Sequence, residues 1–175
     1  MAKSIKWAAL SLMFCVAPAS AQDKPVTIGV GYQSLWFGDV SFPVGGTVDV
    51  AVSGTEALAA VGEIGWARNS RRQFGLQDRT TVFHVAGGGR WTIGRMQRFR
   101  PFGQLLVGWQ RDVVRIEKFG SDAESAFLLQ PGGGVILKMS RWPEVFGQLD
   151  WQRVFKSDDD HSAARFLGGL RFRLG

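Results

Sequence analysis

The 175-residue chain has one cysteine, Cys15, one tyrosine and two histidines, His84 and His161. Beyond its N-terminal segment it has no continuous apolar stretch of the ~20 residues that a bilayer-spanning helix requires. Each scarcity excludes something. Cys15 falls in a segment that reads as removable, so disulfide frameworks and thiol chemistry are excluded from the rest. Two histidines leave little room for imidazole-based metal or acid–base sites. Without helical spans, any membrane protein encoded here must cross with strands.

The N-terminus carries a targeting pattern. Lys3 and Lys6 form a basic start, Trp7 to Val16 is mostly apolar, and Ala19-Ser20-Ala21 supplies small residues for cleavage. The expected division is a signal peptide over 1–21 and one domain over 22–175. Phe14 is bulky where lipoprotein processing at Cys15 wants a small residue, which argues against lipidation. Losing Lys3 and Lys6 takes the formal net charge from +6 to +4. The remaining basic residues are scattered, so the pattern excludes a nucleic-acid surface.

The last segment gives the fold class. Between Ala164 and Leu174 the even positions read Ala164, Phe166, Gly168, Leu170, Phe172 and Leu174, and the odd ones include Arg165, Arg171 and Arg173. Period two with one apolar and one guanidinium-bearing face marks a strand between two unlike solvents. Seven earlier segments repeat the alternation: Val26–Leu35, Phe42–Val52, Leu58–Arg68, Thr80–Ile93, Phe102–Arg111, Phe127–Lys138 and Val145–Val154. Short connections follow the second, fourth and sixth, and longer ones follow the odd strands. The expected fold is all-β, an eight-stranded antiparallel up-and-down transmembrane β-barrel with both ends of the chain on the periplasmic side. That topology sends Trp36, Trp66, Trp109 and Trp151 toward the outer rim, and Trp91 and Trp142 toward the inner one. Val82, Leu106, Leu128 and Phe146 break the rule by placing apolar side chains on the polar face.

Two glycine runs, Gly87-Gly88-Gly89 and Gly132-Gly133-Gly134, lie inside strands and lack the Gly-Lys-Ser/Thr of a phosphate loop. They read as space for large neighbours and as points of curvature. The stretch Val82-Phe83-His84-Val85-Ala86-Gly87-Gly88-Gly89-Arg90 resembles the fourth strand of small bacterial outer-membrane barrels. Phe99 to Gly108, Gly132 to Lys138 and Gly168 to Gly175 are similar to their later strands. The family is the outer-membrane-protein β-barrel domain, akin to the opacity and outer-membrane-protein-A barrels. The resemblance implies residence in the cell outer membrane of a Gram-negative-type bacterium, contact with outer-membrane lipid and lipopolysaccharide, and handling by the barrel-assembly machinery. It implies no cofactor.

Some barrels of this size act on lipids, so the titratable groups matter. His84 faces the lumen, but His84-Val85-Ala86 stands where a lipid deacylase carries His-x-Ser, and no serine shares its face. It reads as a hydrogen-bonding residue, and the chain as a non-enzyme. Asp158-Asp159-Asp160 before His161 lacks the spacing and glycine of a calcium loop, so no metal site is expected. The inward parity collects Asp49, Glu63, His84, Arg90, Gln104, Gln130, Gln148, Asp150, Arg165, Arg171 and Arg173, with Lys138 near the rim. Buried charges must pair, so these are expected to interlock and fill a lumen only wide enough for side chains.

The expected role is structural or surface-interactive, through exposed loops at Asn69–Arg79, Asp112–Ser125 and Lys156–Ser162, with Arg71, Arg72, Arg111 and Arg115 facing lipopolysaccharide phosphates. Two alternatives stay open. One is a narrow pore for small solutes, and the other a soluble periplasmic ligand-binding barrel. Any extracellular partner is left unspecified.

Overall fold

The computed structural model describes residues 25–38, 40–73, 76–94, 98–116, 120–139, 143–156 and 160–174. The segment expected to be a signal peptide and Trp142 lie outside the described residues. Among those described, the strands are β1 (Val26–Phe37), β2 (Val40–Phe42), β3 (Val44–Ser53), β4 (Leu58–Gln73), β5 (Leu76–Thr92), β6 (Phe99–Ile116), β7 (Gly120–Leu137), β8 (Glu144–Phe155) and β9 (His161–Leu174). Each long strand pairs antiparallel with the next, and β1 closes the ring by pairing with β9 from Val26↔Leu174 to Trp36↔Ala164. The eight long strands are the expected closed barrel, and β2 is an addition to it.

That addition comes from Pro43. The expected second strand began at Phe42, but a proline has no N–H to give a ladder, and pairing is interrupted there. The chain turns at Gly38, where φ is +52°, and Val40–Phe42 folds back on Phe37–Leu35 of the preceding strand. Phe42 is thereby buried with Leu35, Ala67 and Val82, and its ring meets that of Phe37 edge-on at 5.5 Å.

Alternation decides what each face meets. Outward positions are apolar and exposed, with Ile64 at 63% and Leu149 at 64%, and they include Val30, Val85, Leu105 and Phe166. Inward positions are buried and mixed. The exceptions Leu106 and Leu128 pack with Ala51, Val61, Ala86, Ala126 and Val154 into one cluster. Phe146 packs with Phe102, Ile136 and Leu167 into another. Trp36, Trp66, Trp91, Trp109 and Trp151 all stand on the outward face.

The hairpins correct the expected loops. β4 and β5 pair without interruption to Gln73↔Leu76, and β6 and β7 to Ile116↔Gly120. Asn69–Arg79 and Asp112–Ser125 are therefore mostly strand, not loop. The backbone ladder continues where side-chain alternation stops, because its N–H and C=O groups pair whatever the side chains carry. A strand needs only ~9–11 residues to cross a bilayer, so the 18 residues of β6 and of β7 project well past the apolar band. We call this the upper end, and the end with the 53–58, 92–99 and 137–144 connections the lower.

Candidate functional site: a two-layered charged lumen

The inward charges sort into two layers around two hubs. The upper hub is Arg165, whose side chain is fully buried. Its Nη1 and Nη2 donate to Glu63 Oε1 and Oε2 at 2.6 and 3.0 Å, a two-pronged bond across the lumen from β9 to β4. Its Nε and Nη2 donate to Asp150 Oδ2 at 2.8 and 2.5 Å, and Nη1 also donates to Gln33 Oε1 at 3.1 Å. Planar guanidinium suits such forked contacts, which are among the strongest hydrogen bonds in proteins.

Amides extend the hub. Gln148 Nε2 donates to both oxygens of Asp150, at 3.0 and 2.8 Å. Gln130 Nε2 donates to Glu63 Oε1 at 3.2 Å, and Gln152 Nε2 to Gln130 Oε1 at 2.8 Å. His84 Nε2 lies 3.1 Å from Glu63 Oε1 and 3.2 Å from Arg165 Nη1. The imidazole is thus engaged by a carboxylate and a guanidinium.

The lower hub is Asp49. Its Oδ1 accepts from Arg90 Nη2 at 3.2 Å and Arg171 Nη2 at 3.4 Å, while Arg90 Nε donates to Gln104 Oε1 at 3.0 Å. Phe102 lies between the two cations, with its ring centroid 5.0 Å from the Arg90 guanidinium and 4.9 Å from that of Arg171. Arg171 also stacks on Phe146 at 4.3 Å. Aromatic faces attract cations that one carboxylate does not fully compensate.

Glycines give these side chains room. Gly132 faces Asp150 in the ladder, and a Cβ there would overlap Asp150 Oδ1. Gly65 faces His84, and a Cβ there would overlap the imidazole at Cε1. The expected role of Gly132 as space for a large neighbour thus has a specific beneficiary.

Ten of the eleven inward residues named from sequence are buried in these two layers. Arg173 departs: it shares the parity but is exposed at the lower mouth, one residue from the end of β9. Lys138 is exposed at the same mouth. Sequence reasoning left out Gln33 and Gln152, each fully buried in the upper hub. Their inward parity was the available signal. It also missed the Arg100–Glu144 pair at the lower mouth, which bridges β6 and β8. Below the Asp49 hub the lumen opens into a cavity of about 880 Å³.

At the upper end, Lys156 sits beyond β8 with its Nζ 2.9 Å from Asp112 Oδ2 and 3.0 Å from Glu124 Oε2. Burial disfavours its charge, but the two carboxylates outweigh that and raise its pKa above the ordinary lysine value. Arg153 pairs with Asp160 at 3.2 Å. These upper charges are in part tied to one another. Asp158 and Asp159 lie outside the described residues.

No protein-family model matches the chain, and no curated protein does. Solved structures do. Neisserial surface protein A aligns over 86% of this chain and 97% of its own at 8% identity and a TM-score of 0.68. A major outer-membrane protein of Thermus thermophilus aligns over 85% and 99% at 8% identity and 0.60. Ail, the attachment invasion locus protein of Yersinia pestis, in complex with the heparin analogue sucrose octasulfate, aligns over 85% and 97% at 17% identity and 0.56. At these identities the likeness establishes the fold, which is that of the small bacterial outer-membrane barrels.

Proposed function

We propose that the protein is an outer-membrane barrel with a structural or surface-interaction role, its lumen closed by the Arg165 hub and its upper hairpins presented outside the cell. The observation that carries this is the inverted surface: Ile64, Leu149, Val85 and Phe166 face outward while Arg165, Glu63 and Asp150 are buried. A soluble ligand-binding barrel needs the opposite arrangement. The lower end then faces the periplasm, and the projecting β4–β5 and β6–β7 hairpins face out.

Closure rests on the bonds from β9 to β4, β1 and β8 that converge on one guanidinium. A narrow pore, the second reading, draws support from the lower cavity but must pass that guanidinium. A non-enzymatic role fits His84, whose Nε2 contacts a carboxylate and a guanidinium rather than a hydroxyl. For partners we retain lipopolysaccharide phosphates, meeting Arg111 on β6 and Arg71, Arg72 and Arg115, whose side chains lie outside those described. The sulfated ligand seen on Ail is Ail's own, and anionic sugars are the chemistry worth testing here. Folding would proceed through the barrel-assembly machinery, with no cofactor.

The test is a gel of the isolated outer-membrane fraction with and without boiling, followed by conductance in planar bilayers. The expected result is a heat-dependent mobility shift, negligible wild-type conductance, and measurable conductance in R165A/E63A/D150A. Recovery in the soluble periplasm without a shift would overturn the membrane reading. Conductance in the wild type would overturn closure and favour the pore.

A further inference from the structure

The lower cavity is basic well beyond what pairing requires. Among the described residues its wall brings in five cations, Arg90, Arg100, Lys138, Arg171 and Arg173, against the carboxylates Glu56 and Glu144. Asp49, deeper in the lumen behind the inner wall of the cavity, is held by Arg90 and Arg171 together. Counting it, five positive charges meet three negative ones, a surplus of two. The innermost cations are built in rather than draped: Arg171 is 1% exposed and Arg90 4%, fixed by Asp49, Gln104 and the faces of Phe102 and Phe146. Among the described residues, the buried Nε of Arg171 and that of Arg100 have no hydrogen-bond partner. Arg100 is oriented by Glu144 at the lip, while Lys138 and Arg173 are exposed and within reach of an entering molecule.

We propose that this cavity is a binding site for a phosphate group. A phosphate monoester carries about −1.5 to −2 charge at pH 7 and three acceptor oxygens, which matches a surplus of two and a ring of guanidinium donors. Low surrounding dielectric strengthens the attraction relative to open water. The apolar wall formed by Ala51, Ala59 and Ile136 leaves room for an organic remainder beside the phosphate. Two sources carry this monoester chemistry: a soluble phosphorylated molecule entering from below, or the headgroup of phosphatidic acid at the lower rim.

The experiment titrates inorganic phosphate into the barrel held in phosphatidylcholine nanodiscs and reads the heat. Saturable binding, weakened about tenfold or more in R173Q/K138Q and unchanged in R153Q at the opposite end, is the expected result. Both exchanged residues are exposed and outside the buried hubs, and the heat-dependent gel shift confirms that the variant is folded. The titration is then repeated in discs containing phosphatidic acid, whose phosphate is a monoester. Unchanged heat assigns the site to a soluble phosphate, and suppressed heat assigns it to a lipid headgroup. No saturable heat in phosphatidylcholine discs, or equal affinity in R173Q/K138Q, overturns the proposal.

Discussion

Asp49 and Glu63 stand directly opposite each other on β3 and β4, two buried carboxylates at one rung of the ladder, yet among the described residues they share no cation. Like charges so placed are destabilising. Here the two side chains diverge, Asp49 to Arg90 and Arg171 and Glu63 to Arg165. Counting carboxylates and guanidiniums alone, the upper hub holds one cation against two anions and the lower hub two against one. The two hubs balance each other, and the lumen is polarised along its axis.

The divergence predicts which substitutions couple. R165M strands Glu63 and Asp150, and D49N strands Arg90 and Arg171, and each should cost about 3–5 kcal/mol in urea unfolding from lipid vesicles. E63Q and R165M act on one bond and should be strongly non-additive. D49N and R165M act on separate hubs, so their effects should add within about 0.5 kcal/mol. Strong coupling between D49N and R165M would mean that the two layers are one network.

Gly132→Ala should be costly for a reason unrelated to backbone freedom. Its new methyl would overlap Asp150, which cannot retreat without loosening Arg165. A loss of about 1–3 kcal/mol is expected, typical of overpacking. Gly62 on β4 is the control, since a Cβ there meets nothing within 4 Å. Gly62→Ala should change stability by no more than about 0.5 kcal/mol. Equal losses at both positions would remove the steric explanation.

These relationships differ in how far the sequence exposes them. Parity is written in the chain, because the pleat sends alternate side chains to opposite faces, and so Asp49, Glu63 and Arg165 could be placed inside from their neighbours alone. Pairing is not written there. Asp49 is 122 residues from Arg171, and Arg165 is 102 from Glu63, so partner choice depends on the stagger of strands around the closed ring. The upper ends of β4 to β7 were also illegible, because Arg68-Asn69-Ser70-Arg71-Arg72 is polar on both faces and has no period to read. Pro43 lies inside the expected Phe42–Val52 strand, and only the fold shows the break there and Phe42 buried beside it.

Lys156 links β8 to the strands carrying Asp112 and Glu124, and its raised pKa sets the sign of a pH effect. The folded protein holds the lysine proton more tightly than the unfolded chain does. The contribution is therefore fully present below the ordinary lysine value of 10.5, and is lost as pH rises through the higher folded value. Glu124 is 56% exposed, so the pair is screened and worth about 1 kcal/mol or less. The gap in urea midpoint between wild type and K156M should hold from neutral pH to about 10 and close above it. A gap that widens with alkalinity would contradict the pairing.

Trp36 and Trp151 flank Ala164 on neighbouring strands, on one outward level of the barrel. Around the wall, Trp109 meets Phe127 edge-on at 6.1 Å, and Phe127 meets Phe155 at 5.9 Å. Amphipathic aromatic rings collect where lipid headgroups begin, so this belt should mark one bilayer interface and Trp91 the other. Variants that keep a single tryptophan, with the rest changed to phenylalanine, can be placed in vesicles of brominated lipids. Trp36, Trp109 and Trp151 should all show blue-shifted emission and strongest quenching from bromines near the headgroup. Bromines deep in the acyl chains should quench each of them less. Emission at the wavelength of water-exposed indole, untouched by any brominated lipid, would show that the belt faces water and would remove the bilayer from this protein's surroundings.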